Sequence, residues 1–118
     1  MSLDIWLESP ELEVCPECSG TGHRRHRLTD EFNITHNLAD MWSAVGIYEA
    51  LYESQGKQVR VILPTLREGL VKLEADPSLR RLSAYNGWGT YEQAVTWLRD
   101  LVRAFSDARP ESIVKVDA

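Results

Sequence analysis

The stretch Cys15-Pro16-Glu17-Cys18-Ser19-Gly20-Thr21-Gly22 carries the most specific chemical signal in the chain. Two thiolates spaced C-x2-C reach one tetrahedral metal ion from a single tight turn, and the glycines that follow let the backbone fold over the sulfurs. His23 and His26 fall in the same stretch, so Cys15, Cys18, His23 and His26 form a candidate Cys2His2 zinc site. The step from Cys18 to His23 is C-x4-H, a spacing also found in zinc knuckles. His23 and His26 stand closer together than the usual histidine pair, and His36, at the end of an extended segment, competes for one ligand position. Glu13, Glu17, Asn33 and Thr35 are candidates for second-sphere support. One structural zinc ion is the expectation.

The same residues admit other chemistry. A redox C-x-x-C opens a helix after a strand, and Ser19-Gly20-Thr21-Gly22 is a poor helix start. Two reduced thiols without metal, or a half-site completed by a second chain, remain open. A zinc hydrolase would keep a fourth position for water, but no nearby residue is clearly placed as its general base.

Arg24, Arg25 and Arg27 make the densest basic cluster and the candidate binding residues for a phosphate or acidic partner, single-stranded nucleic acid included. No aromatic residue is interleaved for base stacking, so the plainer expectation is that they balance Glu8, Glu11, Glu13 and Glu17. Asn86-Gly87-Trp88-Gly89-Thr90-Tyr91-Glu92 is a second unusual segment. Free N–H groups at Gly89 and Thr90 could hold an anion, yet no lysine follows in phosphate-loop spacing. The expectation is a structural turn, with Trp88 folded into the core between two long helices. Trp6, Trp42 and Trp97 are likewise expected in the core. Asn33-Ile34-Thr35 matches a glycosylation sequon, which has no consequence without secretion.

These groups need elements to position them. Leu3, Ile5 and Leu7 alternate with Asp4 and Trp6, a strand pattern that Ser9-Pro10 should end, and Leu12 and Val14 suggest a second extended piece. Residues 15–31 show no helical period and read as an ordered loop inserted between strands. Phe32 and Ile34 begin another strand. Asn37 can cap a helix carrying Leu38, Met41, Trp42 and Val45 on one face and ending near Gly46. Ile47 to Tyr52 reads as a helical turn closed by Ser54-Gln55-Gly56. Val59, Ile62, Leu63, Leu66, Leu70 and Leu73 share a stripe over about Lys57 to Ala75, where Pro64 predicts a bend. Asp76-Pro77 stops it, and Leu79 to Tyr85 is a connector. Thr90 and Gln93 fit a capping box for a helix with Tyr91, Ala94, Leu98, Leu101, Val102 and Phe105, finishing before Arg109-Pro110. Ile113, Val114 and Val116 close the chain as a strand. The order predicts one α+β domain over residues 1–118, a small antiparallel sheet packed against two long helices with a metal-stapled N-terminal loop.

Composition narrows the classes. Length of 118 residues suits one domain, and 43% hydrophobic with 26% charged residues marks a globular chain rather than a disordered one. A net charge of −5 argues against a general duplex-DNA coat. No run of about 18 apolar residues marks a membrane span. Met1-Ser2-Leu3-Asp4 lacks the pattern of a signal peptide, so a cytoplasmic location is expected. Two cysteines so close together cannot staple a secreted fold.

Asn33-Ile34-Thr35-His36-Asn37-Leu38-Ala39-Asp40-Met41-Trp42, Gly46-Ile47-Tyr48, Ile62 to Leu70 (I-L-P-T-L-R-E-G-L) and Asn86 to Glu92 together resemble a family of small uncharacterised proteins of phages, prophages and some bacterial genomes. The resemblance covers about residues 33–117. It implies a small α+β domain in which the Asn33–Asn37 strand leads into a helix and the Asn86–Glu92 turn starts another, with the first thirty residues variable. It implies no reaction. The functional expectation is a non-enzymatic zinc-binding protein that acts through a protein partner, as a host-takeover or accessory factor. The alternatives are a small-ligand or single-stranded nucleic-acid module using Arg24, Arg25, Arg27 and the His36–Asn37 corner, and a zinc-dependent hydrolase.

Overall fold

A computed structural model describes residues 2–14, 23–84 and 86–118; the side chains of 12–14 and 23–26 lie outside that description. Within it the chain is α+β, with a small antiparallel sheet and several helices. The apolar alternation in the first residues builds one long strand, β1 (Ser2–Val14), with Leu3, Ile5 and Leu7 fully buried on one face. Contrary to the sequence expectation, Ser9-Pro10 does not end it. The register to its partner strand shifts between Glu8 and Leu12, and proline is accommodated at such an irregularity.

A second difference lies in 15–31, expected as loop throughout. His23–Arg27 forms strand β2, antiparallel to β1 with Glu8 opposite Arg27, Glu13 opposite Arg24 and Val14 opposite His23. Five consecutive polar residues carry no apolar period, so the pattern hides a strand that depends on its backbone ladder and on acidic positions across from it. Strand β3 (Phe32–Thr35) pairs antiparallel with the start of β1, Ser2 opposite Thr35 and Ile5 opposite Phe32. The chain's last strand, β4 (Ile113–Asp117), pairs with Asp4 to Glu8. Glu8 thus has partners in both β2 and β4, and Ile5 in both β3 and β4. A strand has two edges, so β2 and β3 share one edge of β1 and β4 occupies the other.

The helices cover the Leu3–Ile5–Leu7 face. Helix α1 (Ala39–Ala44) follows a 3-10 turn, His36–Leu38, and buries Met41 and Trp42. Thr35, whose hydroxyl accepts from the Asn37 N–H, caps that 3-10 turn, and α1 starts after Leu38 with no side-chain cap, so Asn37 does not take the expected role. Helix α2 (Tyr48–Tyr52) is a short turn and α3 (Val59–Ala75) runs through Pro64, burying Val59, Ile62, Leu66 and Leu73. Gly69 lies in α3 where any Cβ would overlap Cγ2 of Ile47, so α3 passes that side chain at glycine distance. The expected connector after Asp76 is a 3-10 helix, Pro77–Leu82, started by the Asp76 carboxylate on the Ser78 N–H. Helix α4 (Tyr91–Asp107) carries the predicted Thr90–Gln93 capping box and buries Tyr91, Ala94, Leu98, Leu101 and Phe105. Removing each large apolar side chain from water contributes about 1.5–3 kcal/mol. Phe105 meets Phe32 edge-on at 6.1 Å, tying α4 to β3. Among the described residues no helix is long and apolar enough to cross a membrane.

Candidate functional site

Two segments fifty residues apart in sequence meet at one end of the sheet. The turn Asn86–Gly89 is shaped by its glycines, with φ of 81° at Gly87 and 108° at Gly89, values that L side chains rarely adopt. Asn86 Oδ1 accepts from the Trp88 N–H at 3.0 Å, and Asn37 Nδ2 donates to the Trp88 carbonyl at 2.8 Å. Gly89 is buried against Thr35, Asn37 and Leu38, so close that a Cβ would stand 3.1 Å from the first two. Its N–H and that of Thr90 both donate to Gln93 Oε1 at 3.0 Å. The turn is therefore bound on one side to the 35–38 corner and on the other to the first turn of α4.

The result is a groove of about 1450 Å³ between β3, that corner, the turn and α4. Helical spacing puts Gln93, Thr96, Trp97 and Asp100 on the α4 side, a stripe distinct from the face that packs the core. Asn33, Ile34 and Thr35 contribute the opposite wall. Trp88 is 72% exposed at the groove, a correction to its expected burial between the helices. Its backbone is held by hydrogen bonds at both its N–H and its carbonyl. Trp42, by contrast, is fully buried and packs beside the half-buried Trp97 at 5.6 Å.

The charge of this surface is acidic. Glu92 and Asp100 line the groove and no lysine or arginine does. Arg80 approaches Glu92 at 2.6 Å, and the hydrogen bond holds the Glu92 carboxyl below and the Arg80 guanidinium above their ordinary values. Asp100 has no ion-pair or hydrogen-bond partner among the described residues. His36, also on the wall, shares a 2.8 Å hydrogen bond with the Tyr52 hydroxyl, and Tyr52 stacks on Tyr48 at 4.5 Å. Burial raises the Tyr52 phenol above its ordinary pKa, with a smaller contribution from Tyr48.

The other residues singled out in the sequence sit elsewhere. Cys15 and Cys18 lie outside the described residues, as do the side chains of His23, His26, Arg24 and Arg25. Among the described residues no three histidine, cysteine, aspartate or glutamate side chains group to hold a metal ion. The backbone register does place the candidates: His23 pairs with Val14 and Thr35 with Ser2, at opposite ends of β1. At about 3.3 Å per residue these ends are roughly 30–40 Å apart, so His36 cannot ligate an ion held by His23 in the same chain. The same separation divides the basic strand from the His36–Asn37 corner, which were expected to share one site. Arg27 is committed locally, pairing with Glu31 at 3.1 Å and lying 4.8 Å from the centre of the Trp6 ring.

Sequence reading missed the groove as a unit. Both of its segments are visible as motifs, but no local signal shows that Trp88 faces outward. Against protein-family models, curated proteins and solved structures the chain finds no match.

Proposed function

We propose that the protein is a non-enzymatic binding protein whose working surface is the Trp88 groove and whose occupant is part of another protein. The observation that carries this reading is a tryptophan 72% exposed on a backbone held by hydrogen bonds at both its N–H and its carbonyl. Tryptophan is among the residues that dominate binding at protein interfaces, and a backbone already held in place loses little freedom on contact. Polar side chains surround it, as they do the rim of an interface. An anion such as single-stranded nucleic acid meets no lysine or arginine here. The resemblance to phage and prophage proteins makes a host protein the natural candidate, and an accessory or host-takeover role follows from that.

A zinc ion held by Cys15, Cys18 and His23, the histidine that opens β2, belongs to the same proposal as a staple. Val14 pairs with His23, so the chain leaves and re-enters the sheet at adjacent positions on either side of the C-x2-C segment. Closing that segment with metal–ligand bonds would fix the far end of β1 and β2. Affinity capture from host lysate tests the binding role. Trp88→Ala should lose a protein that wild type and Val71→Ala retain, Val71 being an exposed residue on α3. Retention of the same protein by Trp88→Ala would refute it.

A further inference from the structure

We propose that the groove takes an extended strand of its partner, bearing lysine or arginine, which adds to the free edge of β3. This rests on the groove being the partner surface and goes on to name what fills it. Three successive residues, Asn33, Ile34 and Thr35, line the groove. Side chains of a strand alternate between faces, so a groove touching all three runs along the strand's edge, where its backbone groups point. The inner edge of β3 is paired with β1. Its outer edge has no backbone partner among the described residues.

The opposite side of the sheet is different. There Gly56 donates to the Val114 carbonyl at 2.8 Å, Val114 donates to the Lys57 carbonyl at 2.8 Å, and Gln55 Oε1 accepts from Val116 at 2.6 Å. That edge is closed by the chain's own 55–58 segment. Along the open edge, β2 reads His-Arg-Arg-His-Arg, and charged residues on an edge oppose strand addition. Only β3, Phe-Asn-Ile-Thr, offers an uncharged stretch of ladder, and it is the part beside Trp88. Strand addition supplies backbone hydrogen bonds, while side-chain pockets select the sequence. Asp100, unpaired among the described residues, selects a cation, and an exposed indole face attracts one as well.

The probe is a labelled peptide with blocked ends, about eight residues of alternating valine and lysine, titrated into the full protein by fluorescence anisotropy. A copy N-methylated on alternate residues keeps the side chains and loses the N–H groups that would join β3. It should bind at least about tenfold more weakly, since two or three hydrogen bonds of about 1 kcal/mol each are removed. A copy with glutamate for lysine should not bind wild type but should bind Asp100→Lys, which in turn loses the lysine peptide. Equal binding of the N-methylated and parent peptides overturns strand addition while leaving the groove as the partner surface. Unchanged binding to Trp88→Ala and Asp100→Lys overturns both. Absence of binding to wild type at about 1 mM peptide, saturation by neutral oligosaccharides in place of peptide, or self-association that fills the groove each overturns the proposal.

Discussion

Replacing Gly89 by alanine tests whether the turn that presents Trp88 is as tightly determined as its contacts indicate. Gly89 has φ of 108°, and a Cβ there would meet Asn37 Cβ and Thr35 Cγ2 at 3.1 Å and Leu38 Cγ at 3.4 Å. The backbone conformation alone costs a non-glycine residue about 1–3 kcal/mol. The contacts add to that, because all three touched atoms belong to the 35–38 corner that holds the turn. Reduced freedom of the unfolded chain returns about 0.4–1 kcal/mol. The net expectation is a loss of about 1–3 kcal/mol. Gly87→Ala is the control, with φ of 81° but no atom within 4 Å of its Cβ. It carries only the left-handed penalty of about 1–2 kcal/mol, less the same return. Urea denaturation followed by far-ultraviolet circular dichroism separates the two. With m of about 1–3 kcal/mol/M, the Gly89→Ala midpoint should fall by about 1 M and the Gly87→Ala midpoint by a few tenths. A Gly89→Ala protein at least as stable as Gly87→Ala would refute the close packing of this corner.

Three further outcomes follow from the same structure, and a fourth from the proposal that the C-x2-C segment holds zinc. Gly69→Ala gains about 1 kcal/mol of helix propensity and loses about 1–3 to overlap with the fully buried Ile47. Its melting temperature should drop, and combining it with Ile47→Ala, which removes the overlapping Cγ2, should cost less than the sum of the two. Tyr91 Oη donates to the Leu73 carbonyl at 2.5 Å, so Tyr91→Phe should lose about 0.5–1.5 kcal/mol in urea denaturation, leaving that carbonyl only the longer bond from the Asp76 N–H at 3.4 Å. Tyr52 keeps its proton to higher pH folded than unfolded. Stability is therefore full below the ordinary phenol value of about 10 and falls as pH rises from there through the raised folded value; Tyr52→Phe should flatten that decline in alkaline unfolding curves. Elemental analysis of protein purified without chelator should give about one zinc per chain, and Cys15→Ser with Cys18→Ser should abolish it.

Much of the fold was legible because its signals are local. The α4 stripe, its Thr90–Gln93 box and the stop before Arg109-Pro110 all act within a few residues of one another, and all appear in the helix Tyr91–Asp107. The stripe of α3 was equally plain, since Val59, Ile62, Leu66 and Leu73 bury together. What failed was set by partners far along the chain. Pro10 sits inside β1 because the register slips there, which depends on β2. His23–Arg27 becomes a strand because β1 supplies the ladder, not because of its own residues. Thr35 caps the 3-10 turn before α1, and the Asn37 amide reaches instead to the Trp88 carbonyl fifty-one residues away. That last bond joins two motifs into one groove, and no local pattern encodes it. His36, a competing ligand candidate at the end of an extended segment, stands at the opposite end of β1 from His23 because of that strand's length.

On the function proposed above, the protein meets its partner through the surface around Trp88. A photoreactive tryptophan analogue that keeps the indole, placed at position 88, and in a separate protein a photoreactive amino acid at exposed Val71 on α3, test it inside the host cell. The prediction is one discrete cross-linked species from position 88 and none from position 71, with the position 88 adduct lost when Asp100 is changed to lysine. Cross-linking from position 71 alone, or an adduct at 88 indifferent to Asp100→Lys, would contradict it.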